Sequence, residues 1–435
     1  MMKYMVYCIA VIFFGLLQTG LTAEADERNG TELMIGDEIE MKVEEWKDEW
    51  TGRTVQRLGA EGLRTNLPYF TRECVLPDNS GILMSVLWED EWRLFAAYPD
   101  TGKMKLLSDQ VVRSATDPCI GGERILFFNG DNTLGYIPLE GGEFTAVAQP
   151  PDDCSSPNPA ISSDGRYAVY AWFEKRKETT KSLLRDGYPS RGSENNFAIQ
   201  SGVVVHIDLD TGITKGIGGG NHIGGHPMIN PTNSFNVEVC KDTSWRDQRM
   251  WTIQYYQEAN YTTQEPLYVQ ESGYEAVGHE AFLQDGRVVA VYQKYKNLSD
   301  APEDTEYSAI LVADPKTGKS VKYRTPGFVW NHIHGRDGKT FVSEGRSDLH
   351  LPPDKHESVM KSELGRRSQR ELNLVTRYDV AGRKTEATPL CVTGTSWKDG
   401  NTHPHPVLDR EHKWCYFRSD RSGVPQVYRV DMRKE

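Results

Sequence analysis

Two histidines separated by one residue, His403 and His405 in Asn401-Thr402-His403-Pro404-His405-Pro406, carry the clearest chemistry in this sequence. On an extended segment side chains two apart point the same way, and interleaved prolines remove backbone donors and stiffen the run. A strand end built like this presents two imidazoles to one metal ion. A bare pair of this kind is more often a polar strand end facing solvent. Here three upstream motifs alter the balance: Gly224-Gly225-His226-Pro227, Gly278-His279-Glu280 and Asn331-His332-Ile333-His334, each beside a turn or strand signal. Four histidine motifs in comparable positions point to one shared site.

The elements that position them read as short strands. Apolar or alternating runs of four to eight residues are closed by Asp-Gly, Thr-Gly or Gly-Gly turns, as at Pro99 to Gly102, Glu140 to Gly142, Ser163 to Gly165, Asp210 to Gly212, Gln284 to Gly286, Lys316 to Gly318 and Arg336 to Gly338. Strands and turns combine into four-stranded meanders with a period of roughly 40 to 50 residues, the period of a propeller blade. Two long insertions, around 175–196 and 346–371, reduce the count from eight to seven. The expectation is an all-β, seven-bladed β-propeller over 46–435, preceded by a linker at 24–45. The two insertions are expected to be surface loops, often at a binding face. The glycine run Gly218 to Gly220 precedes no helix and is no phosphate loop.

The formal net charge of -12 argues against nucleic acid or an anionic membrane as partner. An acidic substrate would therefore need a local positive centre. Residues 1–23 read as a signal peptide: Lys3 ahead of an apolar run from Met5 to Leu17, then a small-residue cleavage site at Ala23 or Ala25. The run is short for a bilayer span, so the expected location is periplasmic or secreted, with no membrane contact after cleavage. The six cysteines beyond it, Cys74, Cys119, Cys154, Cys240, Cys391 and Cys415, show no C-x-x-C spacing; in an oxidising compartment some could pair, with no connectivity readable, and most read as small buried core residues. Nothing in the sequence bears on oligomeric state.

Taken together, the histidine motifs resemble those of the oligogalacturonate lyases, seven-bladed propellers acting on short pectin fragments. The resemblance runs from about Trp50 to Val430. Its best stretches are Thr51 to Leu58, Gly225-His226-Pro227, Asp247 to Trp251, Gly278 to Phe282, Thr395-Ser396-Trp397, His403 to Pro406, Phe417 to Asp420 and Gly423-Val424-Pro425. It implies a divalent metal of the manganese type bound by His279, His403 and His405 with a glutamine, and a base at His226. Bottom-up chemistry agrees with that division. Eliminating across a uronate needs removal of a weakly acidic proton α to a carboxylate, which a divalent cation on the carboxylate favours and a neutral histidine can perform near neutral pH.

Two positions depart from the family's pattern. Gly400 stands where the glutamine belongs, leaving Asn401, one residue closer, as the candidate fourth ligand. Val203 stands where the family has an arginine near substrate, leaving Arg185 or Arg191 on the preceding insertion to reach across. His332 is a further candidate to line the site and touch substrate; packing beneath the metal is its alternative. His334, His350, His356 and His412 read as surface residues, and Arg249 and Trp251 as braces within a blade. The expected function is cleavage of a short, acidic, uronate-containing oligosaccharide by β-elimination. The rival is a non-catalytic propeller that binds glycans or protein partners.

Overall fold

Short strands and glycine turns build seven antiparallel blades, and the chain is an all-β, seven-bladed β-propeller. The computed structural model describes residues 33–60, 62–152, 154–155, 159–174, 202–220, 223–241, 245–298, 304–326, 332–346, 354, 357–358, 361–362, 373–398 and 402–433. The proposed signal peptide, Arg185, Arg191, Asn401 and most of both insertions lie outside them. The turn glycines behave as the sequence requires. Gly102, Gly212, Gly318 and Gly338 all have φ between 66° and 71°, a region in which a side chain is strained.

The innermost strands of the blades, in chain order, are Thr65–Asn66, Cys119–Gly121, Ala160–Ile161, Ile223–Asn230, Glu275–Phe282, Ile333–Gly335 and Val407–Leu408. Each is followed outward by strands hydrogen-bonded in sequence order, for example Glu275–Phe282, Val288–Tyr295, Thr305–Asp314 and Lys319–Arg324. The third and fourth blades are joined into one continuous sheet through the Gly220 and Ile223 pair. The seventh blade takes strands from both ends of the chain. Thr54–Leu58 pairs with Gln426–Asp431, and Val43–Lys47 lies outside it.

Residues 38–45, expected as linker, are therefore largely strand. Glu38–Glu40 pairs with Lys103–Leu106 on the first blade, and Val43–Lys47 edges the seventh. The charged composition hid this, because edge strands need little apolar content.

Neighbouring blades pack face to face through alternating apolar residues. Val342, Val375 and Leu390 of the sixth blade meet Leu408, Phe417 and Val430 of the seventh, together with Val55 from the closing strand. Burial of each such side chain stabilises by roughly 1.5–3 kcal/mol. All six described cysteines are buried and none is in a disulfide. A polar clasp also crosses the ring. Arg336 donates to Glu73 (2.7 and 2.9 Å) and to the Leu408 carbonyl, and Arg410 lies 3.2 Å from the same carboxylate.

Candidate active site

Five successive blades, the fourth through the seventh and then the first, each bring a ring to one place from or beside their innermost strand. These are His226, His279, His332, the pair His403 and His405, and Tyr69 with Phe70. Strand alternation alone does not aim them. His226 (φ 47°) and His279 (φ 53°) are in the left-handed region. Each sits in a register shift of its strand, between Gly225 and Met228 and between Gly278 and Ala281. An extra residue in one strand of an antiparallel pair bends it and redirects a side chain, so both motifs are β-bulges that turn an imidazole out of the ladder. Side chains in this region cost about 1 kcal/mol or more and are held by their surroundings.

Those surroundings are visible. Buried Arg72 donates to the Pro227 carbonyl (2.8 Å), tying the bulge of His226 to the loop that carries Tyr69. Arg249, also buried, bonds Glu280 (3.2 Å) beside His279. It is a brace, as expected, but between the fourth and fifth blades and not within one. Trp245 lies edge-on to His279 (centroids 4.5 Å), and a Cβ on Gly278 would meet its ring at 3.2 Å, so that position has to stay small.

The His403 to Pro406 run also departs from simple extension. His405 has φ 45°, and regular strand begins only at Val407. The two rings are inclined at 76° with centroids 5.8 Å apart. They still converge, because the partner that completes the group is His332. One ligand atom from each of His332, His403 and His405 falls within 4.8 Å of the others. His332 Nε2 is 3.0 Å from His405 Nε2, and its Nδ1 is 2.5 Å from the wholly buried Glu344. The ring of His279 packs 3.9 Å from that of His332. The segment is held from behind by Arg418 N on the Pro404 carbonyl and by Thr395 Oγ1 on the Thr402 carbonyl, next to Ser396, whose N and Oγ donate to Asp420.

Burial, reinforced by His279, His403, Arg418 and His226, holds His332 far below its ordinary pKa, so the imidazole is neutral. Burial pushes Glu344 far above the usual carboxylate range. A neutral His332 backed by a buried carboxyl group suits a divalent cation, which binds deprotonated nitrogen and favours ionisation of the acid behind it. A second sign is the His405 Nδ1 atom, buried and with no hydrogen-bond partner. Buried polar atoms rarely go unsatisfied without a reason.

The sequence profile of the oligogalacturonate lyases matches residues 33–435. The chain belongs to the oligogalacturonate lyase family. No curated protein matches its sequence. Two solved structures are similar over 92% of this chain and 99% of their own, each with a TM-score of 0.73 and 19% identity: an oligogalacturonate lyase in complex with manganese, and an oligogalacturonate lyase from Vibrio parahaemolyticus. At that identity they establish the fold.

Of the residues singled out in the sequence, His226, His279, His332, His403 and His405 meet at this place. Asn401, Arg185 and Arg191 lie outside the described residues. Val203 pairs with Trp172 and Gly219 inside the third blade. His334 is not a surface residue. It is buried, its Nδ1 accepts from Leu408 N (3.1 Å), and burial lowers its pKa to about 3, so it joins the sixth blade to the seventh. Sequence reasoning missed Glu344, Tyr69 and Trp245. Only Glu344 left a signal, an acid inside the apolar run Phe341-Val342-Ser343-Glu344.

Proposed function

We propose that this chain is a metal-dependent lyase that cleaves short oligogalacturonate-like uronate chains by β-elimination, leaving an unsaturated sugar. The observation that carries the reading is the convergence of His226, from the fourth blade, with the His332, His403 and His405 group of the sixth and seventh. His332, His403 and His405 would hold a divalent cation, with His279 packed beside them and Asn401 a further candidate. Manganese is the first to test. When bound, the cation neutralises the substrate carboxylate and stabilises the charge that grows on it as the α proton departs.

The protein's own groups do the rest. His226 takes the α proton, and its ring is held ready by the bulge, by Arg72 on the next carbonyl and by the stacked Tyr69. Glu344 holds Nδ1 of His332 and so fixes which nitrogen faces the cluster. The test is ultraviolet absorbance of the unsaturated product, with manganese and a panel of acidic oligosaccharides that includes digalacturonate. A rise abolished by chelator and by His226→Ala supports the reading. A flat trace across the panel from metal-loaded protein counts against a uronate lyase.

A further inference from the structure

Resting on that reading, we infer that Tyr69 is the catalytic acid, the group that protonates the departing sugar oxygen. β-Elimination needs two proton transfers. His226 accounts for the first, removal of the α proton, and the electron pair of that C–H bond becomes the new double bond. The bond from the β carbon to the glycosidic oxygen then breaks with its electron pair on oxygen. A sugar alkoxide is a poor leaving group, so the oxygen needs a proton as it departs.

Tyr69 is placed for that transfer. Its ring stacks on His226 (centroids 5.1 Å, planes 18° apart) and meets His405 and His332 edge-on at 4.9 and 5.8 Å. A substrate with its α proton at His226 and its carboxylate at the His332, His403 and His405 group must lie against this ring. Its neighbour Phe70 also touches His332 and His405 but is buried at 1% exposure, whereas Tyr69 stays partly exposed. The aromatic pair thus divides its work, with Phe70 packing under the cluster and Tyr69 facing what binds on it. The backbone fixes Tyr69 in place: its N–H donates to the Thr116 carbonyl (3.0 Å) and its carbonyl accepts from Arg72 N (2.7 Å). In the balanced step the phenol O–H proton passes to the glycosidic oxygen. The phenolate is then reprotonated from the proton that His226 took from the α carbon, directly or through water, returning both groups to their starting state.

Tyr69→Phe keeps the stack on His226 and removes only the acid. The expected result is a fall in kcat of about 100-fold or more on a sugar-terminated substrate. Manganese affinity by calorimetry stays at the parent value. The decisive readout is a uronide whose departing group at the β carbon is a nitrophenolate, which leaves without a proton. On it the variant recovers to within several-fold of the parent. An equal loss on both substrates would assign Tyr69 to positioning alone, and a variant as active as the parent on the sugar substrate would remove it from the chemistry; either result overturns the assignment. A parent enzyme inactive on every uronide, with metal bound, sinks the lyase reading itself, so the two failures are told apart.

Discussion

At the residue scale the site is a set of imidazoles held in place by what stands behind them. Glu344 is the clearest case, since its contact to His332 Nδ1 fixes which ring nitrogen faces the cluster. Glu344→Gln keeps the shape and removes the group that could ionise when a cation binds. Manganese affinity measured by calorimetry is expected to fall 10- to 100-fold, while the apo protein unfolds no earlier than the parent. His405→Ala is expected to remove stoichiometric metal, read by elemental analysis of the dialysed protein, and with it activity. The histidines were legible in the sequence because Gly-His and His-Pro punctuation is local. Glu344, Tyr69 and Trp245 were not, because each meets its histidine only after separate strands or blades are side by side. His332 lay between: its motif was visible, but its contact with His405 spans 73 residues of chain.

The element that distinguishes this scale is the β-bulge on the innermost strand. Of ten described non-glycine residues with positive φ, four belong to this one site: His226, His279, His405 and Trp397, whose ring packs 4.3 Å from that of His403. Backbone strain is thus concentrated where the rings are aimed. A direct check compares two variants that both lose the ring. In an ordinary strand Ala is more stable than Gly by roughly 0.5–1 kcal/mol. At position 226 the order should invert, with His226→Gly more stable than His226→Ala by about 1 kcal/mol in reversible thermal or urea unfolding. Retention of the usual order would mean that the left-handed conformation is lost when the ring is removed. Turn glycines announced the strands, so blade number was readable. The bulges were not, since Gly225 and Gly278 look like any strand-end glycine until their register is known.

For the whole molecule, the clasp of Arg336 and Arg410 on Glu73 links the first, sixth and seventh blades. Burial alone would raise the Glu73 pKa, but the facing guanidinium of Arg336 outweighs it and holds the carboxyl at about 2 against an ordinary 4.5. A depressed carboxylate contributes stability that is present above its unfolded value and lost as pH falls through its folded one. Glu73→Gln is therefore expected to cost on the order of 2–3 kcal/mol near neutral pH, with the gap to the parent closing between pH about 4.5 and about 2 in urea unfolding. A gap independent of pH would assign the loss to packing. The edge strand Glu38–Glu40 was the part of the ring least visible in sequence, its register being set by a partner 65 residues away at Lys103 to Lys105.

Ring closure also dictates timing. The strand Thr54–Leu58 is among the first described parts of the chain, yet its partner Gln426–Asp431 is among the last, and His403 and His405 sit just ahead of that partner. During synthesis, then, the early blades wait without a seventh neighbour, and the histidine group has no second half to converge on. On the metal reading, the group can take up its cation only after the last blade has closed on the first, so metal loading is expected to follow completion of the ring and not to precede it.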